Sequence, residues 1–176
     1  GWMERDIDRD PALVCDVTLE LAEAQLVAGN PAAARETFYR AASSAGQLGL
    51  PDRLARAAIG VSGPVTRLGG VDHDAIDLLE AALRSLPTGD CPLRARVLGR
   101  LSIELHSSAS IEQRAAMSDE AMRIARDLDD VRVLADLMGE RRTRRWRSET
   151  AAARLADSAD LVRLADRTGS AELALD

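Results

Sequence analysis

The stretch that decides the fold is residues 22–41, AEAQLVAGNPAAARETFYRA. Its two apolar halves meet at Gly29-Asn30-Pro31, where glycine can end one helix and proline can begin the next. Small residues recur where two such helices would cross, and the bulky Phe38 lies among them. The small residues are Ala22, Ala34 and Ala41. We interpret this stretch as an antiparallel helix pair that forms one unit of a helical repeat.

The rest of the chain also alternates between apolar segments and short breaks. Helical spacing predicts helices over residues 12–28, 31–48, 52–62, 71–87, 92–108, 111–128, 131–146 and 149–167, and the final AELALD looks like the start of another. In the first helix the apolar residues are Leu13, Val14, Val17, Leu21, Ala24 and Leu26. Because aromatics make up only 2% of the chain and hydrophobic residues 46%, the core must consist of Ala, Leu and Val. Such a composition favours close-packed helices over strands.

A repeat is visible in the second helix of each predicted pair, which has a bulky residue three positions before an alanine. These positions are Phe38 and Ala41, Leu79 and Ala82, Met122 and Ala125, and Val162 and Ala165. The alanines follow one another at steps of 41, 43 and 40 residues. A fixed period of this length indicates stacked units, each burying its apolar face against its neighbours. We therefore predict an all-α fold, an α-solenoid of about four antiparallel helix pairs.

This interpretation also predicts the domain organisation. Residues 1–11 would be an N-terminal tail or a cloning remnant, and residues 12–176 would form one repeat domain. The units would cover about residues 12–50, 51–90, 91–129 and 130–170, followed by a truncated next helix.

The units resemble the tetratricopeptide repeat, whose pattern is W-x2-L-G-x2-Y, then A-x3-F-x2-A and P. The first unit matches at Leu21, Ala22, Ala34, Phe38 and Ala41. The second matches at Leu54, Ala58, Ala75, Leu79, Ala82 and Pro87, and the third at Leu98, Leu101, Ser102, Leu105, Ser118, Met122 and Ala125. The fourth matches at Leu134, Ala135, Ser158, Val162 and Ala165. The Trp, Tyr and Gly positions are mostly replaced, and the period exceeds the usual 34 residues.

A longer run is ARAAIGVSGPVTRLGGVDHDAIDLLEAALRSLPTGDCPLRARVLGRLSIEL, followed by SDEAMRIARDLDD. It is similar to the repeat region of large bacterial ATP-binding transcriptional regulators of the LuxR type, in which an ATPase module precedes such repeats. The resemblance implies a sensor or interaction segment of a longer chain. The ATPase module is not part of this sequence. The glycine-rich stretch of the chain, GVSGPVTRLGG, lacks the GK[ST] of a phosphate-binding loop.

Composition excludes several functions. All 23 basic residues are arginine, so a Schiff-base lysine and a phosphate-loop lysine are ruled out within this chain. The net charge of −6 does not favour binding of nucleic acid by the surface as a whole. Cys15 and Cys91 are far apart, which favours reduced, packed cysteines in a cytoplasmic protein over a disulfide framework. No apolar run reaches the roughly 20 residues of a membrane span.

The tetratricopeptide resemblance implies that the first helix of each pair lines a concave face. Matched residue by residue, this face would contain Asp16, Glu23, Ile59, Arg96, Ile103, His106, Arg132 and Asp136. One hypothesis is that a groove formed by Arg96, Ile103, His106, Arg132 and Asp136 contacts a peptide, a partner protein or a small-molecule effector. The alternative is that the charged groups pair with one another and only solvate the surface.

An arginine cluster near the end of the seventh predicted helix is the most unusual local feature. Its members are Arg141, Arg142, Arg144, Arg145 and Arg147. They could bind phosphate, nucleic acid or an acidic partner, or they could be favourably placed near a helix C-terminus. Trp146 could pack at a repeat junction or form a ligand platform.

The sequence Asp72-His73-Asp74 has metal-ligand residue types, but neither HExxH nor paired cysteines accompany it. A helix N-cap at Asp72 or Asp74 is the favoured interpretation. No serine has a nucleophile motif around it, so we expect no catalytic site, metal or cofactor.

Together these features favour a non-catalytic binding domain, the sensor or interaction segment of a cytoplasmic bacterial transcriptional regulator. A free-standing peptide-docking adaptor and nucleic-acid binding through the arginine cluster remain alternatives. A homodimer is a further alternative, because an open end of a solenoid exposes apolar surface.

Overall fold

The computed structural model describes residues 10–63 and 71–144, together with Ala159, Val162 and Arg163. Across these residues it has helices and short connections and no strand, which confirms the all-helical prediction. The helices are α1 Pro11–Val27, α2 Pro31–Leu48, α3 Pro51–Ser62, α4 His73–Ser85, α5 Pro92–Glu104, α6 Ile111–Asp127 and α7 Val131–Arg144, and a 3-10 turn, Leu105–Ser107, follows α5. The predicted eighth helix, 149–167, lies outside the described residues except for the three named above, which are helical.

Local sequence signals set the helix ends. The side chains of Asp10, Asn30 and Asp72 accept hydrogen bonds from backbone N–H groups in the first turns of α1, α2 and α4, which would otherwise lack partners. Gly29 and Gly49 follow α1 and α2 with φ of 75° and 65°, a left-handed conformation that glycine adopts without strain. The helix ends therefore lie within a few residues of the predicted ones, except that α5 stops at Glu104 and continues as a 3-10 turn.

The helices pack in a regular order. Each helix packs against the next one in the sequence, and the odd-numbered helices α1, α3, α5 and α7 also pack in succession against one another. As a result, α3 contacts α1 and α2 on one side and α4 and α5 on the other, and α5 has the corresponding four neighbours.

The buried residues form three successive clusters rather than one central core. The first joins α1, α2, α3 and α4 around Phe38. The second joins α3, α4 and α5 around Leu79, and the third joins α5, α6 and α7 around Met122. The bulky residue of the sequence repeat is thus buried at the centre of each cluster, with exposures of 2%, 0% and 3%.

Small residues allow the helices to approach closely. Ala22, Ala34 and Ala41 are fully buried where α1 and α2 meet. On α3, the Phe38 ring from α2 occupies the space that a Cβ atom on Gly60 would need. The α2–α3 contact therefore depends on a residue without a side chain at position 60.

The apolar stripe identified on the first helix is on the exposed side. Leu13, Val17 and Leu21 are 39%, 49% and 48% exposed, whereas Cys15 and Leu19 on the opposite side of α1 are fully buried. Because apolar residues occupy both sides of α1, helical spacing alone does not identify its inward face.

We predict that Gly60→Ala destabilises the protein, because the added methyl group meets the Phe38 ring. The expected loss is about 1–3 kcal/mol in the free energy of unfolding, as for other overpacked cores. Urea unfolding followed by circular dichroism measures this loss.

Gly46→Ala is the matched control. Gly46 lies inside α2, and a Cβ atom there would have no other atom within 4 Å. The control should unfold with a free energy ~0.5–1 kcal/mol higher than that of the wild type, from helix propensity alone. If both variants gained stability, the close approach of Phe38 to α3 would be contradicted.

Candidate binding surface on the odd-numbered helices

Ion pairs connect α1 to α3 on the surface of the odd-numbered helices. Arg53 on α3 binds Asp16 on α1 with two hydrogen bonds, from Nε to Oδ1 at 2.6 Å and from Nη2 to Oδ2 at 2.7 Å. One turn further, Nη2 of Arg56 donates to Glu20 Oε1 at 3.0 Å and to Glu23 Oε1 at 2.8 Å. These arginines are three residues apart in the helix and therefore lie on the same side of α3.

A second group of ion pairs connects α5 to α7. Arg96 Nη2 lies 2.8 Å from Asp136 Oδ2, and Arg100 Nη2 lies 2.7 Å from Glu140 Oε1. Arg96 and Arg100 are four residues apart and share one side of α5. We refer to Arg53, Arg56, Arg96 and Arg100 together as the arginine band. Its members lie on α3 and α5, and carboxylates from α1 and α7 hold them in place.

The structure brings three of the predicted groove residues together. Arg96 pairs with Asp136, and the charge of Arg132 also acts on the Asp136 carboxylate. Burial raises the pKa of the Asp136 carboxyl above its ordinary value, and the positive charges of Arg96 and Arg132 oppose this effect. This pairing is the arrangement expected if the charged groups neutralise one another.

The other two predicted groove residues lie toward the opposite end of α5. Ile103 is about 10 Å along the helix axis from Arg96, at 1.5 Å per residue. It is 7% exposed, so it offers little surface to a ligand. His106 lies in the 3-10 turn after α5 and is exposed.

A polar cluster surrounds the C-terminal end of α3. The guanidinium groups of Arg35 and Arg100 donate to the backbone carbonyls of Val61 and Gly63, and Ser62 Oγ donates to Glu104 Oε1 at 2.6 Å. Arginines commonly bind the last carbonyls of a helix, which have no partners within it. The cluster thus joins α2 and α5 to the end of α3.

A cavity of about 50 Å³ lies beside this cluster and is lined by residues that include Arg35 and Gly60. This volume holds one or two water molecules and is too small for a peptide side chain and its backbone. We therefore assign the cluster a structural role.

The arginine cluster lies mostly outside the described part of the chain. The backbone of residues 141–144 forms the last turn of α7, but the side chains of Arg141, Arg142 and Arg144 are not described. Arg145, Trp146 and Arg147 lie outside the described residues altogether. The proposals for this cluster stay predictions.

Asp72 is the N-cap of α4, and its Oδ1 accepts a hydrogen bond from the backbone N–H of Ala75 at 3.2 Å. This confirms the favoured interpretation of Asp72-His73-Asp74. Asp72 also pairs with Arg35 from α2, so the cap also connects the first helix pair to the second. Within residues 10–63 and 71–144, no three His, Cys, Asp or Glu side chains are grouped as a metal site would require.

Sequence reasoning missed most of the arginine band. A usable signal was present, because the paired charges are 37 residues apart for Asp16 and Arg53, 36 for Glu20 and Arg56, and 40 for Arg96 and Asp136. These separations are close to the distance along the chain between successive odd-numbered helices. Opposite charges at this spacing therefore indicate contacts between those helices.

Comparison with known proteins finds no matching family model and no significant match among curated proteins. Among the helices described here, none combines the length and the hydropathy that a membrane span needs.

We predict that Arg53→Gln raises the pKa of the Asp16 carboxyl toward its ordinary value of 3.8. In the folded protein the hydrogen bonds from Arg53 hold this pKa below 3.8. The pair therefore stabilises the fold above pH 3.8 and loses this effect as the pH falls through the lowered pKa. NMR titration of the Asp16 carboxyl carbon measures the shift.

The difference in unfolding free energy between the wild type and Arg53→Gln should accordingly shrink as the pH is lowered. Arg84→Gln serves as the control, because Arg84 pairs with Glu80 within α4 and should leave the Asp16 titration unchanged. An unchanged Asp16 pKa in Arg53→Gln would contradict the pairing.

Proposed function

We propose that the chain is an α-solenoid of about four antiparallel helix pairs of the tetratricopeptide type, and that it binds a peptide segment of another protein without catalysis. Two features support the solenoid. Successive odd-numbered helices pack against one another, and the core is divided into three clusters along the chain. A bulky residue followed by an alanine three positions later is buried in each of the three described units.

The observation that supports binding most directly is the fixed position of the arginine band. Each of the four arginines is held by a carboxylate from a neighbouring odd-numbered helix. Exposed ion pairs add little to stability, at about 0–1 kcal/mol each. Their main effect here is to order the exposed side chains of Arg53, Arg56 and Arg96 on one surface before a ligand arrives, which lowers the entropy cost of binding.

The chemistry of the arginine band favours an acidic peptide in an extended conformation. A guanidinium group has five N–H donors, and its carboxylate partner in this protein accepts from only one or two of them. The other donors suit carboxylates and backbone carbonyls of a peptide. Because the band spans two adjacent helices, one peptide lying across α3 and α5 could contact Arg53, Arg56 and Arg96, whose side chains are 31%, 36% and 35% exposed. Arg100 is only 13% exposed and also donates to the Gly63 carbonyl, so its role is structural.

The larger setting that we propose is the sensor or interaction segment of a LuxR-type transcriptional regulator in the bacterial cytoplasm. The support is the resemblance of the sequence runs given above. A complete reading frame that encodes an ATPase module upstream and a DNA-binding module downstream would support this setting. A reading frame without them would favour the free-standing adaptor, which uses the same surface.

We predict that the protein binds acidic peptides and that Arg56→Gln and Arg96→Gln each weaken this binding roughly 10–100-fold, the effect of losing one charged hydrogen bond. The probe is a fluorescently labelled 12-residue peptide rich in Asp and Glu, titrated by fluorescence polarisation. A peptide of equal length with Arg in place of the acidic residues should not bind.

Arg84→Gln is the matched control, because Arg84 lies on the even-numbered helix α4 and is 70% exposed. It should bind the acidic peptide as the wild type does. Equal losses of affinity in all three variants would indicate nonspecific attraction. The absence of saturable binding to the wild type would reject the proposed surface. Retention of labelled DNA with a steep salt dependence would instead favour the arginine cluster at residues 141–147.

A further inference from the structure

The outward side of α1 is an apolar surface with a regular spacing. Val17 and Leu21 are four residues apart and 49% and 48% exposed, and Leu13 continues the stripe by one further turn. The opposite side of α1 is buried against α2 and α3 through Cys15, Leu19 and Ala22. A helix that is apolar on both sides is normally covered on both sides.

Each of the other odd-numbered helices also has two apolar residues four positions apart, and on those helices the two residues are buried. On α3, Ala57 and Val61 belong to the cluster that contains α1 and α2. On α5, Val97 and Leu101 pack in the cluster with α3 and α4. On α7, Val133 and Leu137 pack in the cluster with α5 and α6, and they are 2% and 5% exposed. Each odd-numbered helix after α1 thus uses two apolar residues, four positions apart, to contact the preceding helix pair.

We propose that Val17 and Leu21 form a docking surface for one further antiparallel helix pair of the same repeat type. Three consecutive interfaces within the chain set the precedent, and the α1 surface continues their pattern. A helix that ends a repeat array usually has a polar outer side, which α1 lacks. This inference goes beyond peptide binding at the arginine band and does not depend on it.

The charges of α1 favour such a helix pair over a second copy of α1. The helix has Asp16, Glu20 and Glu23 and no basic residue. Two α1 helices placed face to face would bring acidic rims together. Asp16 already uses both oxygens on Arg53 of α3, but Glu20 is 68% exposed and contacts Arg56 through Oε1 alone. An arginine at the rim of a docked helix pair would therefore find Glu20 as its partner.

The test adds such a pair to the full chain. A second copy of residues 92–130, which contains α5 and α6, is fused ahead of Gly1, so that residues 1–9 provide the connection. Hydrogen exchange measured by mass spectrometry then follows the backbone amides of α1. We expect these amides to exchange roughly tenfold more slowly in the fused chain than in the original chain.

The double variant Val17→Gln/Leu21→Gln should abolish this added protection in the fused chain. In the original chain the same variant should unfold within about 2 °C of the wild type, because both side chains are already exposed there. Ile111→Glu in the original copy of α6 is the control, since Ile111 is 75% exposed and lies far along the chain from α1. It should leave the added protection of α1 intact.

Three results would overturn the proposal. The first is unchanged exchange of the α1 amides in the fused chain. The second is a fused chain that aggregates or does not unfold cooperatively. The third is a dimer of the original chain, detected by light scattering, that Val17→Gln/Leu21→Gln converts to a monomer, because a second copy would then be the occupant.

Discussion

Close contact between helices at alanine and glycine positions is the constraint on which the rest of the structure depends. The chain has few aromatic residues, and Phe38 reaches α3 only because Gly60 has no side chain. Ala34 and Ala41 are fully buried on the side of α2 that also holds Phe38. Large side chains at these positions would separate the helices and leave voids that Ala, Leu and Val could not fill. The three clusters follow from this packing, because each bulky residue fills the space between two successive helix pairs.

The same close packing determines where charges meet. Once α1 lies against α3, and α5 against α7, long arginine side chains reach the carboxylates of the neighbouring odd-numbered helix. Exposed pairs of this kind contribute little to stability, so their effect is mainly to order the surface. At the end of α3, by contrast, Arg35 and Arg100 satisfy backbone carbonyls that the helix itself leaves without partners. Arginine therefore has two roles in this protein. It pairs with carboxylates at the surface, and it binds backbone carbonyls at the end of α3.

Each of α3, α5 and α7 packs against a preceding pair of helices, whereas the described part of the chain has no such pair before α1. In α5 and α7, an apolar pair four residues apart is covered by the preceding helices, whereas Val17 and Leu21 on α1 are exposed. The difference between these helices is the presence or absence of a preceding helix pair among the described residues, and not the residue type. Binding on the odd-numbered helices and docking at α1 would therefore use separate surfaces, one charged and one apolar.

The sequence by itself determined the seven described helices, most of their ends to within a few residues, and the small residues at the α1–α2 crossing, because caps, prolines and small residues act over a few positions. Asp72 as an N-cap and Phe38 as a core residue were both predictable in this way. The buried side of α1 was not, since both of its sides are apolar and only contact with α2 and α3 distinguishes Leu19 from Leu21. The arginine band also required the tertiary structure. Arg53 and Asp16 are 37 residues apart, and only the stacking of α3 on α1 brings their charges within hydrogen-bonding distance.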